Sequence, residues 1–289
     1  MEDNKRSRLP HWMKLKSRLK PDESFSEVRK TLEDLHLHTI CTAGNCPNIG
    51  ECWRAGTATF MILGDICTRS CKFCGVTTGK PLPPDPEEPA RVAESIRRMK
   101  LKHAVITSVD RDDLPDRGAG FWAETIRVIK EVNPGLTMET LIPDFDGRPE
   151  LIDQVIAAGP EVISHNLETV RRLTPEIRTK AKYETSLSVI SRIAKSGLVA
   201  KSGIMLGLGE TEEEILKTME DLLDAGCTVM TIGQYLQPST AHIGVKEWIT
   251  PEKFLEYEET GLNMGFMHVE SQPLVRSSYH AEKHVKPRE

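Results

Sequence analysis

The sequence lacks three features that would place it in a common functional class. It has no apolar run of the roughly 18 residues that a membrane-spanning helix needs. Its N-terminal region has no apolar core of the kind found in signal peptides. Basic residues are not in excess, because the net charge is -5 at pH 7. These absences argue against membrane insertion, export and nucleic-acid binding through a basic face. We therefore expect a cytoplasmic protein with neither a membrane nor a nucleic acid as its partner.

Cysteine is present but unevenly distributed. Six of the seven cysteines lie between Cys41 and Cys74, and only Cys227 stands apart. Exported domains more often spread an even number of cysteines along the chain as disulfides. Dense clustering in a chain without an export signal indicates metal binding instead. Cys227 leads into an apolar run, so we expect it to be buried as a small hydrophobic residue.

Helical and strand-like patterns alternate along the chain after a proline-rich connector at residues 79–89. The helical patterns lie at residues 91–100, 121–132, 149–158, 184–196, 211–225 and 251–262. The short β-rich runs lie at residues 59–63, 103–108, 137–141, 162–165, 199–206, 228–234 and 265–269. This alternation predicts an α/β protein built from parallel βαβ units, with about six or seven strands.

The length of the alternating part predicts how far the sheet closes. A closed eight-stranded barrel typically needs about 250 residues, and the alternating part is shorter. We therefore expect an incomplete, open TIM-type (β/α)6 barrel over residues 57–270. An N-terminal extension, residues 1–56, would carry the first three cysteines, and a C-terminal tail, residues 271–289, would follow the barrel.

The second group of cysteines has the spacing Cys67-x3-Cys71-x2-Cys74 and directly follows a predicted strand. Three thiolates can hold three irons of a 4Fe–4S cluster and leave the fourth iron open to a small molecule. Structural zinc is the alternative, but it usually takes four ligands in two closely spaced pairs, which this motif does not supply. The motif resembles that of the radical S-adenosylmethionine (radical SAM) superfamily, whose barrels carry such a cluster at the carboxyl ends of the strands.

The first group has the rarer spacing Cys41-x4-Cys46-x5-Cys52 and resembles the lipoyl synthase family within that superfamily. The resemblance implies an auxiliary 4Fe–4S cluster that is consumed as the source of sulfur. The family's fourth ligand is a serine in an Arg-Ser-Ser-Tyr motif, which is present as residues 276–279 and places the role on Ser278. The choice of Ser278 over Ser277 rests on the resemblance alone. A serine oxygen is a harder ligand than a thiolate, so its iron would be easier to release.

The same resemblance implies contacts to S-adenosylmethionine at the ends of three strands. Thr107 and Ser108 correspond to the segment that meets the amino group of the cofactor. Asn166 and Glu168 resemble the ribose-contacting segment of biotin synthases, and Gly207 lies in a glycine motif that approaches adenine. Plainer alternatives exist for each segment, since Asn166 could cap a helix and glycines also make turns.

Three aspartates close to the first of these segments have two interpretations. Asp110, Asp112 and Asp113 follow a predicted strand. They could act at the site or be solvated charges of a loop.

The lipoyl synthase resemblance implies an activity and partners. A 5′-deoxyadenosyl radical from S-adenosylmethionine would remove hydrogen from carbons 6 and 8 of a protein-bound octanoyl-lysine, and sulfur would be inserted at both. The substrate would be an octanoylated carrier, such as the lipoyl domain of a 2-oxoacid dehydrogenase or the H protein of glycine cleavage. Flavodoxin or ferredoxin would supply electrons, and another protein could resupply the cluster. We hypothesise that a basic arm, residues 5–20, helps to dock an acidic carrier domain.

Two other functions remain as alternatives. A biotin-synthase-like enzyme shares the Cys67 motif but carries a 2Fe–2S auxiliary cluster, against which the first cysteine group and Ser278 argue. A non-catalytic iron–sulfur electron carrier would usually close each cluster with four protein ligands, and it would hardly need a large α/β barrel.

Overall fold

The protein is described by a computed structural model. It covers residues 9–13, 30–32, 34–35, 37–43, 46, 48–54 and 57–285. All the basic side chains of the predicted arm, Lys5, Arg6, Arg8, Lys14, Lys16, Arg18 and Lys20, lie outside these residues. Within the covered ranges, no helix is both long and apolar enough to cross a membrane.

Within the part of the chain that the structure describes, one sheet of eight strands forms the centre of the molecule. The strands are β1 His38–Thr39, β2 Thr57–Ile62, β3 Ile66–Cys67, β4 Thr77–Thr78, β5 His103–Ser108, β6 Thr137–Leu141, β7 Val162–Ser164, β8 Val199–Leu206, β9 Val229–Gln234 and β10 His268–Ser271. Strands β3 and β4 form a separate two-stranded sheet, and the others form the large one. The order in the large sheet is β1-β2-β5-β6-β7-β8-β9-β10. All neighbours in it are parallel except β1 and β2, which are antiparallel. The predicted parallel α/β architecture is confirmed.

Helices connect the parallel strands and cover the sheet. Their bounds are α1 Ile40–Ala43, α2 Ile49–Arg54, α3 Glu88–Arg98, α4 Ala119–Val132, α5 Pro149–Ala158, α6 Thr174–Ile177, α7 Tyr183–Lys195, α8 Glu212–Asp224 and α9 Pro251–Met264. Each predicted helical pattern coincides with a helix to within a few residues. The start of α8 shows one reason, because a capping box fixes it. The Thr211 side chain accepts a hydrogen bond from the Glu214 backbone N–H, and the Glu214 side chain accepts one from the Thr211 backbone N–H.

The core lies between the sheet and these helices. Every residue of β2 and of β9 is buried, as expected for strands of a parallel sheet that is covered on both faces. The covering helices bury one apolar face each; for example, Trp122 and Ile126 of α4 are fully buried. Burial of this extent fixes the register of each strand, so the carboxyl ends of the strands converge at one end of the molecule.

Among the described residues no pairing joins the first and last strands of the sheet, in agreement with the predicted incomplete barrel. The segment that follows β10, residues 272–285, runs along this opening. Tyr279 Oη donates to Glu51 Oε1 of α2 at 3.0 Å, and Thr57 Oγ1 of β2 donates to Glu282 Oε2 at 3.4 Å. On the other side, His280 Nδ1 lies 3.2 Å from Glu270 Oε2 of β10. The C-terminal segment therefore contacts both edges of the opening.

Candidate active site

The loop that carries Cys67, Cys71 and Cys74 begins directly after β2. The backbone turns there through two left-handed residues, Leu63 (φ 67°) and Gly64 (φ 89°). Cys67 then lies on β3, and its Sγ accepts backbone N–H groups from Arg69 and Asp110, each at 3.4 Å. Backbone donors favour a thiolate over a thiol, so this sulfur lies in surroundings suited to a metal ligand.

The three thiols of this loop are close enough to affect one another. Burial raises the pKa of Cys67, Cys71 and Cys74, and burial together with the charges of the other two thiolates brings the pKa of Cys74 to about 12. Without a positive partner the thiols are therefore neutral at pH 7. A bound cationic metal centre would reverse this preference, because ligation requires deprotonated sulfur.

Arg69 anchors this loop to the ends of β5 and β6. Its guanidinium donates to both carboxylate oxygens of Asp112, each at 2.8 Å, and to those of Asp144 at 2.9 and 2.8 Å. It also lies 3.3 Å from Asp110. Burial alone would raise the pKa of Asp144, but the bonds from Arg69 lower it to about 2. Arg69 was not predicted to be part of the site, although an arginine between two clustered cysteines is a visible signal in the sequence.

The three aspartates after β5 differ in their surroundings. Burial raises the pKa of Asp110 to about 6 against the opposing charge of Arg69. Asp112 is bound by Arg69, and its carboxylate also lies 2.9 Å from Lys180 Nζ. Asp113 is exposed and pairs with Arg111 at 2.8 Å. The interpretation as solvated loop charges is therefore wrong for Asp110 and Asp112.

Asn166 and Glu168 follow β7 and lie near the cysteine loop. Glu168 has φ 67° and forms an isolated bridge with Ile204, which holds a non-glycine residue in the left-handed region. Its charge raises the pKa of both Cys71 and Cys74, so it lies close to them. The Oδ1 atom of Asn166 is buried and has no hydrogen-bond partner within the described part of the chain.

This arrangement fits a cofactor that carries hydroxyl groups. A buried amide oxygen without a donor is costly, and a ribose hydroxyl could donate to it. The alternative of a helix N-cap at Asn166 is wrong, because the next helix is α6, whose N-cap is Leu173.

The other predicted cofactor contacts have partners within the protein. Thr107 Oγ1 donates to Leu141 O at 3.4 Å, and Ser108 Oγ accepts from Trp122 Nε1 at 3.2 Å. Gly207 has φ 95°, and a Cβ there would come within 2.2 Å of Gln234 Nε2. Each residue thus has a packing role of its own, and its contact with S-adenosylmethionine stays a prediction.

The first cysteine group lines a separate cavity of about 300 Å³, its open mouth included. The cavity is lined by Cys41, Cys46, Asn48, Ile49, Cys52, Thr57, Thr59, Arg276, Ser278 and Tyr279. Short helices bring the sulfurs together: Cys46 N donates to Cys41 O at 3.0 Å, and Cys52 N donates to Asn48 O at 3.0 Å. Burial and the charges of neighbouring thiolates raise the pKa of Cys46 and that of Cys52, the latter to about 12.

Ser278 reaches this cavity from the opposite end of the chain, whereas Ser277 is not among the lining residues. The segment before it passes very close to β9, because a Cβ on Gly233 would lie 2.2 Å from Val275 O. Asn48 Nδ2 donates to Leu274 O at 2.6 Å and ties this segment to the cysteine region. Glycine at position 233 is therefore a requirement for delivering Ser278.

Arg276 is a second residue whose role the sequence analysis missed. It lines the same cavity, and its Nη1 donates to Val275 O at 2.6 Å. Burial lowers the pKa of Arg276, whereas the neighbouring Cys46 raises it. A cation beside three sulfurs offsets the negative charge that thiolates would bring to the cavity.

Within the ranges that the structure covers, no three His, Cys, Asp or Glu side chains converge closely enough to share one metal ion. A structural zinc site needs such convergence, because all ligands bind one atom at about 2.0–2.3 Å. In a 4Fe–4S cluster each thiolate binds a different iron, so wider spacing is compatible with a cluster.

Cys227 lies in neither group. It is 1% exposed, and its Sγ lies 3.2 Å from Val229 O. Burial raises its pKa to about 12. The prediction of a buried, packed cysteine is confirmed.

Comparison with known proteins extends these observations. Residues 61–222 match the Radical SAM superfamily. The chain is 64% identical over 278 residues to the lipoyl synthase of Parabacteroides distasonis, an alignment that covers 96% of this chain and 98% of that protein. It is 62% identical over 286 residues to the lipoyl synthase of Bacteroides fragilis, with 99% of each chain covered.

Solved structures with a similar fold are more distant. SuiB of Streptococcus suis bound to S-adenosylmethionine matches with a TM-score of 0.58 and 10% identity, over 86% of this chain and 54% of that one. Methylornithine synthase (PylB) matches with a TM-score of 0.51 and 14% identity, over 76% of this chain and 62% of that one. This chain therefore spans less than two thirds of either structure, and the likeness concerns the fold alone.

The open parallel barrel, with a three-cysteine loop after its first parallel strand, defines a radical SAM enzyme, the class to which the superfamily match also assigns the chain. Members of this class use S-adenosylmethionine and a 4Fe–4S cluster. With 62% and 64% identity over nearly its whole length, the chain belongs to the lipoyl synthase family of sulfurtransferases.

Proposed function

We propose that this enzyme inserts two sulfur atoms, at carbons 6 and 8 of a protein-bound octanoyl-lysine, to give lipoyl-lysine. The observation that carries the proposal is the separation of the two cysteine groups. One lies in a loop at the carboxyl ends of the strands, and the other lines a cavity that also contains a serine. A single-cluster radical enzyme would have no use for the second group.

The two groups would hold two 4Fe–4S clusters with different tasks. Cys67, Cys71 and Cys74 would bind the cluster that leaves one iron open to S-adenosylmethionine. The cavity cysteines, together with Ser278, would bind an auxiliary cluster. When bound, the first cluster supplies an electron for cleavage of S-adenosylmethionine and the second supplies sulfur.

The protein's own contribution is positioning, charge and exclusion of water. Arg69 fixes the loop that carries Cys67 and Cys71 relative to β5 and β6. Asn166, with its unsatisfied amide oxygen, would orient the ribose, and Glu168 could accept from a ribose hydroxyl. Arg276 would balance the charge of the auxiliary site.

The substrate would arrive on a carrier domain, and a reductant is also required. We propose an octanoylated lipoyl domain or glycine-cleavage H protein as the carrier, and flavodoxin or ferredoxin as the electron donor. A separate protein would resupply the auxiliary cluster between turnovers. The reaction would take place in the cytoplasm. The division into residues 1–56, 57–270 and 271–289 stays part of this proposal.

The test compares iron content and product in two triple variants after anaerobic reconstitution. We expect about eight irons per chain in the unaltered protein and about four in a Cys41→Ala/Cys46→Ala/Cys52→Ala variant. This variant should still cleave S-adenosylmethionine but form no lipoyl group. The matched Cys67→Ala/Cys71→Ala/Cys74→Ala variant should also retain about four irons but lose cleavage entirely. About four irons in the unaltered protein, or zinc in place of iron, would contradict the two-cluster proposal.

A further inference from the structure

The lower half of the barrel, away from the cysteine loop, contains a buried charge network. Lys201 of β8 has a fully buried side chain, and its Nζ lies 2.9 and 2.8 Å from the two carboxylate oxygens of Glu139 on β6. Ser164 Oγ of β7 donates to the same carboxylate at 3.0 Å. Three neighbouring strands therefore contribute polar groups to one point inside the barrel.

The C-terminal segment supplies the fourth member of this network. His284 is fully buried, and its Nδ1 lies 3.2 Å from Lys201 Nζ. Burial lowers the pKa of His284, so the ring is neutral at pH 7 and Nδ1 can accept a hydrogen bond from the lysine ammonium. Val285 packs beside it against Val162, Val199 and Val229, the first residues of three strands.

This network holds its members in one arrangement, because separating buried, hydrogen-bonded charges is costly in free energy. Burial alone would raise the pKa of Glu139, yet the charge of Lys201 and the hydrogen bonds that the carboxylate accepts lower it to about 2. Withdrawing His284 from the network would leave the Lys201 ammonium without one of its acceptors, which is costly because the site is buried. The C-terminal segment therefore has one strongly preferred register relative to the barrel.

That register determines where Ser278 lies. The segment is tied by Asn48 to Leu274 O before the serine, by Glu51 to Tyr279 directly after it, and by Lys201 to His284 at its far end. The first two ties are single hydrogen bonds to the cysteine region. The third reaches a fully buried ion pair.

We propose that Lys201, Glu139 and His284 form a latch at the lower end of the barrel that positions Ser278 at the auxiliary cavity. His284 is in this sense a positioning residue, since it lines no part of the cavity itself. The inference rests on the proposed function, in which Ser278 ligates the auxiliary cluster. Loss of the latch should loosen the serine ligand while leaving the Cys67 loop unchanged.

The test measures iron release from the auxiliary cluster to a chelator. The full-length chain with Cys67→Ala/Cys71→Ala/Cys74→Ala is reconstituted, so that only the auxiliary cluster is present. His284→Leu should release the first iron about tenfold faster, because the contact to a buried ammonium is lost. His284→Asn should release it within about twofold of the parent rate, since Asn Oδ1 can replace the lost acceptor. The neighbouring exposed residue offers a matched control, Lys283→Ala, which should not change the rate.

A double variant tests whether His284 acts by positioning Ser278 or by stabilising the whole protein. Ser278→Ala should release iron at least as fast as His284→Leu, and the combination should be no faster than Ser278→Ala alone, because both act through one ligand. In the otherwise unaltered holoenzyme, His284→Leu should increase hydrogen exchange in residues 272–285 and keep the iron of the Cys67 site. Loss of both clusters together would mean general destabilisation and would overturn the proposal.

The remaining outcomes distinguish failure of the His284 latch from failure of the ligand role of Ser278. If Ser278→Ala accelerates release but His284→Leu does not, or if the two effects add in full, the latch is wrong and the serine ligand stands. If Ser278→Ala itself leaves the rate unchanged, the ligand role in the proposed function fails, and the positioning role of His284 is overturned with it.

Discussion

Cys67, Cys71 and Cys74 belong to one loop after one strand, whereas Cys41, Cys46 and Cys52 share their cavity with Ser278 from the other end of the chain. The first group is held by charge, since Arg69 pairs with carboxylates at the ends of β5 and β6. The second is held by single hydrogen bonds between distant segments, such as the bond from Asn48 to Leu274.

The Cys67 loop is thus part of the barrel itself, whereas the auxiliary cavity is formed by segments that pack against the barrel. Substitutions in the barrel should destabilise the Cys67 loop first. Substitutions in the two ends of the chain should destabilise only the auxiliary cavity. In the proposed reaction the auxiliary cluster is dismantled and rebuilt, while the other persists. A cavity assembled from both ends of the chain suits the first requirement, and a loop fixed by ion pairs suits the second.

The largest effect should come from Arg69→Met. The change leaves Asp112 and Asp144 without their common partner, and breaking a buried ion pair in this way costs about 3–5 kcal/mol. Urea unfolding of the variant should show a loss of this size. The surface variant Arg171→Met should lose no more than about 1 kcal/mol, because exposed ion pairs contribute little. Equal losses in the two variants would contradict the special role of the Arg69 network.

A smaller effect should follow from Arg276→Gln, which removes a cation next to Cys46. The reduction midpoint of the auxiliary cluster should fall by on the order of 50 mV, because a nearby positive charge favours the reduced, more negative form. Arg178, whose charge lowers the pKa of Cys71, offers the mirror experiment. Arg178→Gln should lower the midpoint of the other cluster only. Redox titrations that showed both clusters shifting in either variant would mean that the sites are not electrostatically separate.

The smallest effect should follow from Cys227→Ala. This sulfur is buried outside both groups, so the iron content should stay at about eight per chain. Stability should fall by about 1 kcal/mol, a typical cost for a modest change in a packed core. A loss of about four irons would show that Cys227 takes part in one of the clusters.

Local patterns were sufficient to predict most helices and strands. The helix at Pro149–Ala158 and the strands at His103–Ser108 and Val199–Leu206 begin and end as predicted. Hydrophobic periodicity, caps and proline determine such elements, and all three can be read within a short window of sequence. The cysteine spacings likewise belong to short segments, so they could be recognised directly.

Contacts between distant residues could not be predicted in the same way. Arg69 meets Asp112 and Asp144, which lie 43 and 75 positions further along the chain. Nothing in a local pattern distinguishes such aspartates from solvated ones, and Asp110 and Asp112 were left undecided for this reason. Lys201 and Glu139 lie on strands that otherwise read as ordinary core, and their pairing depends on the register of the folded sheet.

The path of the C-terminal segment along the open side of the barrel has a consequence for the order of folding. Tyr279 meets Glu51 across 228 positions of sequence, and Glu282 meets Thr57 across 225. Closing a chain loop of this length costs about 5 kcal/mol of entropy, and only a preformed barrel offers contacts that offset it. The parallel strands should therefore form first and the auxiliary cavity last. On the ribosome, the cavity stays incomplete until residue 278 has emerged, so its cluster cannot gain the serine ligand before that point.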